Sequence, residues 1–517
     1  MSRFATIGGL RNLFRPGVVA APPPPPPVVF ATPKVAVVDY SSDMSDTRKA
    51  MLAKYPVIVI NRTRAQITAA VAFNNGIKAI NPTAKIYQYV ILNEETDPQS
   101  STSDHYPYWQ QLNAGNFWAK TSAGVKTQWT TTWGNYEVNI TNYTALDGSG
   151  KRVPQLKADF VWTYYLNLLG TSIDGIFEDN LFWRPRKATG LASNTCADYN
   201  LDGTNDLITD ATLQAEYRAS FVRFWDALKV YRADLQVVGN TDIGTGNLPS
   251  ISFAQLTNKV EGALLEAVVG KSYSIGTYGG ISQALLHYRS ALANVKAGGF
   301  VMFNTYVTSS KISIGGEYSI ARYGLCMCLF DDGLYTLADD TSSVKPFEID
   351  EFTFQIGTPV DAPPTAATSN GIWKRAYTNG CAVLNPAENG GKYMQGAGFT
   401  LTRNGAGTQV TLTGTWVHGL SVGATFRIIR NRSKSSFNGI FTVATVNSTT
   451  SITWNQAGTA GETDTSPDGT FGTPKTIDLT AGAYKRGTGT QDPTTNSGAA
   501  VGVLTLYSGD AILLLKA

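Results

Sequence analysis

The stretch Asp174-Gly175-Ile176-Phe177-Glu178-Asp179-Asn180 sets three acids around an apolar centre. As a strand it alternates, so Asp174, Ile176, Glu178 and Asn180 share one face and Gly175, Phe177 and Asp179 the other. A second acid, Glu266, stands inside the apolar run Gly262-Ala263-Leu264-Leu265-Glu266-Ala267-Val268. An acid there costs free energy unless it is paired or has a function. Glycoside cleavage needs two carboxylates across the bond, one to protonate the leaving oxygen and one to attack or to activate water. Asp179 and Glu266 suit those roles. Apolar neighbours would raise the pKa of Glu266 and make it the acid, leaving Asp179 as nucleophile or base. The plainer reading is that a strand-end Asp caps a helix or pairs with Lys or Arg. The chain has only three histidines, His105, His287 and His418, which weighs against a Ser-His-Asp mechanism or a histidine-rich metal centre.

Other polar residues end strands beside these acids. Asp39, Glu178, Asn240, Asp242, Asn304 and Tyr306 are candidate substrate-binding residues. Seven of the ten tryptophans fall between residues 109 and 225. Trp129, Trp133 and Trp183 are the candidates for stacking on pyranose rings, whereas Trp162 and Trp225 occupy helical apolar positions. A further cluster, Asp198-Tyr199-Asn200-Leu201-Asp202-Gly203-Thr204-Asn205-Asp206, places oxygen ligands at alternate positions before a turn glycine. Asp198, Asn200, Asp202, Thr204 and Asp206 therefore form a candidate structural calcium loop. The usual twelfth-position Glu is absent, and an Asp/Asn-rich turn without an ion is the alternative. Catalysis requires no cofactor on this reading.

The elements that would position these residues alternate strand and helix. Short β-branched or aromatic runs predict strands at 35–40, 57–61, 86–92, 137–141, 173–180, 236–240, 263–269 and 300–306. Helical periodicity lies between several of them, as in 213–233 with Phe221, Phe224, Trp225 and Leu228 on one face. Eight strands interleaved with helices over residues 34–345 predict an α/β fold, a (β/α)8 TIM barrel, with its site at the C-terminal strand ends. A doubly wound sheet is the second choice, but no Gly-rich phosphate turn follows the first strand. Beyond residue 345 short strands with Gly/Thr turns predict a β-sandwich from 346–391 plus 474–517. A small β module, 392–473, would be inserted within it.

Charged residues make up 16% of the 517 and the net charge is +3, without a basic block, so no nucleic-acid partner is expected. Cys196, Cys326, Cys328 and Cys381 lack zinc spacing and read as buried thiols. No apolar run reaches the roughly 18 residues of a membrane span. Residues 1–33 combine spaced apolar side chains, Arg3, Arg11 and Arg15, and the six prolines Pro22 to Pro27. They read as a docking peptide on a stiff spacer, with a disordered tail or a transit peptide as the alternatives.

At Asp174–Asn180 the chain resembles glycosyl-hydrolase families of the glycosidase barrel superfamily, whose fifth strand carries a D-G-x-x-x-D signature. The stretches VVGN, LLEAV and ARYGLCMCLFDDGLYTL (residues 321–337) follow in the order expected there, and WKRAYTNGCAVLNP and GDAILLLKA resemble the family's trailing sandwich. The resemblance implies a catalytic role for Asp179 and for Glu266. Within the insertion, His418 to Gly423 and Phe437 to Val443 resemble a β module of bacteriophage tail and virion proteins. That implies a virion-borne, multi-copy protein, attached to other virion proteins through residues 1–20, that binds and cleaves host surface polysaccharide. The competing expectation is a receptor-binding or decorating protein with a degenerate, non-catalytic barrel.

Overall fold

The computed structural model describes residues 33–182, 184–241, 257–270, 273–274, 278–308, 317–339, 342–395 and 398–517. The proposed docking peptide and proline spacer lie outside them.

Eight parallel strands form a closed barrel: β1 (Ala36–Asp39), β2 (Val57–Ile60), β3 (Lys85–Ile91), β4 (Gly175–Leu181), β5 (Gln236–Thr241), β6 (Gly262–Val269), β7 (Phe300–Val307) and β8 (Leu334–Asp339). A parallel bridge between Val35 and Tyr335 joins the last strand to the first, with the Tyr335 amide donating to the Lys34 carbonyl at 2.9 Å. The strands alternate between two cores, as the pleat requires. Ala36, Val57, Val59, Tyr87, Phe177, Val238, Leu264, Met302 and Leu334 fill the barrel interior. Their neighbours, such as Ile58, Ile86, Ile176, Val237 and Leu265, pack outward under the helices. Helix Ala211–Tyr231 shows the outer layer: Asp210 caps it by accepting from the Leu213 amide, and Phe221, Phe224, Trp225 and Leu228 are buried against the barrel.

Seven of the eight expected strands belong to the barrel. The segment at 137–141 does not. Only Asn135–Glu137 is a strand, paired antiparallel with Glu94–Thr96 in a ribbon over the barrel. Val138 and Ile140 are buried, but the Val138 and Asn139 amides bond to the Asn93 and Phe117 carbonyls in the loop layer. The alternation of residue type, Glu137-Val138-Asn139-Ile140-Thr141, therefore did not specify the barrel sheet; all five are buried in the loop layer. The true eighth strand is β8, whose six residues are all buried and so show no alternation. The Asp174–Asn180 signature accordingly sits on the fourth barrel strand, not the fifth.

After the barrel, strands Trp373–Tyr377, Gly380–Asn385, Asp510–Lys516, Tyr484–Arg486 and Ala500–Val501 form one sheet. Ala382, Leu384 and Leu513 face the barrel, while Cys381, Val383, Ile512 and Leu514 face a second core with Leu504 and Leu506. Burial on both faces explains the unbroken apolar run Ala511–Leu515. Between these strands in sequence, residues 392–472 fold into an eight-stranded sheet around Phe426, Phe437, Trp454 and Phe471. This module rests on the barrel through Arg430, 3.3 Å from the buried Glu317 carboxylate, and through Arg432, which donates to Thr308 Oγ1 at 2.8 Å. All four cysteines are free and buried. Among the described residues no helix is long and apolar enough to cross a membrane.

Candidate active site

Because all eight strands run parallel, their C-terminal ends share one mouth, and a cavity of about 620 Å³ opens there. Its floor is the top of the interior core, Phe177 and Leu264. One alternation above Phe177, β4 presents Asp179; one above Leu264, β6 presents Glu266. Each acid is followed by a residue in the left-handed region, Asn180 at φ 52° and Ala267 at φ 52°. Each also sits at a break in register with the neighbouring strand, between Glu178 and Leu181 and between Leu265 and Val269. Such bulges re-aim side chains and strain the backbone of a non-glycine residue, a feature that clusters at functional sites. Asn180 is turned into the cavity although strict alternation puts it on the outer face.

Asn240, at the end of β5, links the acids. Its Nδ2 donates to Asp179 Oδ1 at 2.8 Å and to Glu266 Oε2 at 3.0 Å. Tyr89 Oη donates to Asp179 Oδ2 at 2.6 Å, and the Tyr306 hydroxyl donates to Glu266 Oε1. Asn304 lines the same wall and its Oδ1 accepts from the Ala267 amide at 2.9 Å, fixing the bulge beside Glu266. Asp179 is recessed and Glu266 is exposed. Burial pushes the Asp179 pKa up, the bonds from Tyr89 and Asn240 pull it back, and the Glu266 charge adds to the rise; the net shift is upward. The expected enclosure of Glu266 is absent, because its side chain rises past the apolar stretch of β6 into the open mouth. The argument that made it the acid by burial does not hold.

Trp129 and Trp133 both line the cavity, Trp133 at the rim with 67% of its surface exposed. Trp129 Nε1 donates to Glu94 Oε1 at 2.5 Å, and Asn180 Nδ2 donates to the same oxygen at 2.7 Å. Glu94 is buried, and that burial raises its pKa to about 7, with the Asp179 charge contributing. Glu137, opposite Glu94 in the ribbon, is raised to about 7 by burial as well. Tyr40 also lines the cavity, and the sequence reading missed it together with Glu94 and Tyr89. Alternation along Lys85–Ile91 puts Tyr87, Tyr89 and Ile91 on one face and could have found Tyr89. Glu94 lies past the strand end, where no period applies.

Two candidates fall elsewhere. Asp39 is fully buried and forms an ion pair with Arg48, with Arg62 at 4.0 Å, on the outer side of β1. Glu178 points outward, opposite Asp179, and accepts from the Leu92 amide at 2.8 Å. Burial holds its carboxyl far above the usual range. Neither lines the cavity, since alternation turns both away from it. Trp183 and Asp242 lie outside the described residues.

The residue 198–206 loop uses its acids on its own main chain. Asp198 accepts from the Asp202 and Gly203 amides at 3.1 and 2.9 Å, and Asp206 from those of Tyr199 and Asn200 at 2.7 and 3.1 Å. Asn200 and Asp202 bond to each other, and the Thr204 amide donates to Asp202. Among the described residues no group of three or more His, Cys, Asp or Glu stands close enough to hold a metal ion.

No protein-family model and no curated protein matches the chain. Solved structures do. The glycoside hydrolase domain of PelA from Pseudomonas aeruginosa is similar over 60% of this chain and 96% of its own, at 10% identity and a TM-score of 0.34. Eubacterium rectale Amy13B is similar over 84% and 97%, at 8% identity and a TM-score of 0.40. The α-amylase of Geobacillus thermoleovorans, solved with acarbose, is similar over 83% and 97%, at 9% identity and a TM-score of 0.36. The fold is a (β/α)8 barrel with β-rich modules. Identities this low set no residue of this chain against a residue of theirs.

Proposed function

We propose that the barrel is a glycoside hydrolase that cleaves a polysaccharide with Asp179 and Glu266, by a mechanism that retains anomeric configuration. The observation that carries this reading is Asn240, one amide nitrogen bonded to both carboxylates. Two oxygens held on one nitrogen lie within about 6 Å of each other, close to the spacing of retaining enzymes and short of that which leaves room for water between the acids. Asp179, fixed at both oxygens on the cavity floor, suits the nucleophile. Glu266, exposed at the rim, suits the acid and base, which exchanges protons with the leaving group and with water. Its bond from Tyr306 fixes its direction. Trp133 at the rim offers a flat face for a sugar ring.

The setting we propose is a phage particle acting on host surface polysaccharide. It is supported by the motifs of the inserted module and by the composition of residues 1–33. The test is a panel of purified capsular and lipopolysaccharide glycans, scored for new reducing ends and, by NMR, for the first anomer released. Retained configuration is the expected result; inverted product overturns the mechanism. Glycan binding without cleavage of any panel member would leave a non-catalytic receptor binder.

A further inference from the structure

Two strands carry the rim acid and the groups that aim it. Glu266 stands on β6. Strand β7 supplies Asn304, whose Oδ1 accepts from the Ala267 amide at 2.9 Å, and Tyr306, whose hydroxyl donates to Glu266 Oε1. The direction of Glu266 therefore depends on where the end of β7 is held. The ladder of β7 with β8 finishes at Val307 and Asp339, so Thr308 lies past it. The Thr308 amide donates to Glu317 Oε2 at 2.9 Å, and Thr308 Oγ1 accepts from Arg432 Nη1 at 2.8 Å. Glu317 is the first residue of the barrel helix Glu317–Leu329, whereas Arg432 belongs to the inserted module.

This hold is buried and charged. Glu317 is fully buried, and its Oε1 stands 3.3 Å from Arg430 Nε and 3.8 Å from Arg432 Nη1. A buried carboxylate is costly unless it is paired, which ties the module arginines to this one position. Asp468 fixes Arg432 from within the module, accepting from its Nε at 3.2 Å and from its amide at 2.6 Å. The Arg430 guanidinium lies 5.9 Å from the centre of the Tyr273 ring. The Tyr273 amide donates at 2.9 Å to the carbonyl of Gly270, the residue after β6. The two arginines thus meet the ends of both strands that set Glu266. The module also contacts the sandwich, where Arg427 Nη2 donates to Asp510 Oδ1 at 2.7 Å. Arg427 serves attachment alone, while the bond to Thr308, two residues past Tyr306, adds a hold on the strand end that aims the acid.

We propose that Arg432 is a positioning residue for Glu266. Through Thr308 it fixes the end of β7, and with it Tyr306, so that the inserted module is part of the catalytic unit. The effect on turnover rests on the glycosidase reading, and the experiment separates the two. Arg432→Ala would strand the Glu317 charge and unfold the junction, so the Thr308 side of the bond is changed instead. Thr308→Val removes the oxygen at nearly constant volume, and Thr308→Ser keeps it. The probes are 4-nitrophenyl glycosides, with the full chain as enzyme. Thr308→Val should lower kcat roughly tenfold with KM unchanged, the expected result of displacing a catalytic group without removing a binding contact. Thr308→Ser should keep the wild-type kcat. In a Tyr306→Phe background Thr308→Val should cost nothing further, because both changes act through one bond. Arg427→Met, which loosens the module from the sandwich, should leave kcat unchanged. An unchanged kcat in Thr308→Val, losses that add to that of Tyr306→Phe, or an equal loss in Arg427→Met overturns the proposal. Hydrogen exchange followed by mass spectrometry covers the branch without a substrate. Thr308→Val should speed exchange roughly tenfold at the ends of β6 and β7, and leave β2 and β3 unchanged. Unaltered exchange at β6 and β7 overturns the proposal. Faster exchange there without cleavage of any probe or panel glycan keeps the hold on Glu266, and the glycosidase reading then fails by itself.

Discussion

At the barrel mouth the carboxylates of Asp179 and Glu266 take their hydrogen bonds from side chains: Tyr89, Asn240 and Tyr306. In the loop at 198–206 the carboxylates of Asp198 and Asp206 take theirs from the main chain of the same loop. Both regions are rich in Asp and Asn, yet the physical outcome differs. Main-chain donors shape a turn and use the oxygens locally, as Asx turns do. Side-chain donors from separate strands leave the acids facing a shared cavity and fix their spacing. The distinction between a site and a turn thus lies in where the donors come from, not in how many acids are present.

The largest expected effect tests the mouth. Asp179→Asn and Glu266→Gln should each lower turnover by about two to four orders of magnitude, the range for removing an acid–base group, with little change in melting temperature. Azide separates their roles. An Asp179→Gly protein should give a glycosyl azide of inverted configuration and a Glu266→Gly protein one of retained configuration. The opposite pattern exchanges the assignments, and wild-type turnover in both Asn and Gln variants would remove them altogether.

Glu137 sharpens the comparison from the ribbon beside the mouth. It is buried with Oε2 lacking a partner, and its pKa is raised to about 7. A carboxyl whose folded pKa lies above its unfolded value stabilises the fold only while protonated. Its favourable contribution is complete below about pH 4.5 and fades as pH rises through about 7. Glu137→Gln removes that dependence. The variant should be more stable than wild type at pH 8, by on the order of 2–3 kcal/mol, with no gain at pH 4. Denaturant unfolding at the two pH values measures this, and equal differences at both would show that folding does not raise the Glu137 pKa.

The smallest effect concerns the loop. Asp198→Ala removes an acceptor from two amides, at a cost of about 1–2 kcal/mol in thermal or chemical denaturation and with no direct effect on turnover. A calcium ion would have to draw the Asp198 and Asp206 oxygens away from those amides. EDTA and added calcium should therefore move the melting temperature less than Asp198→Ala does. A larger shift with calcium would make the loop a metal site and narrow the contrast with the mouth.

Much of the architecture followed from the chain. Helix Ala211–Tyr231 has a clear apolar face and a capping Asp210, and seven barrel strands are short apolar runs with local boundaries. Asp179 and Glu266 stood out as candidates because each is an acid at the end of an apolar strand run, a position that a parallel barrel carries to its mouth. The strand at 334–339 was not legible, because complete burial removes the two-residue period on which recognition depends. The 137–141 segment alternates apolar and polar residue types, yet all five are buried and its amides go to loops.

What the sequence determined alone is seven of the eight barrel strands, the order in which those come, and the acids they carry. The tertiary structure decided which acids meet. Barrel closure turned Asp179 inward and Glu178 outward. It also brought Asn240, Tyr89 and Glu94 from three separate segments against one cavity. The reason is physical: a strand's period fixes which of its residues share a face, but which face becomes the inside is settled only when the eighth strand closes on the first.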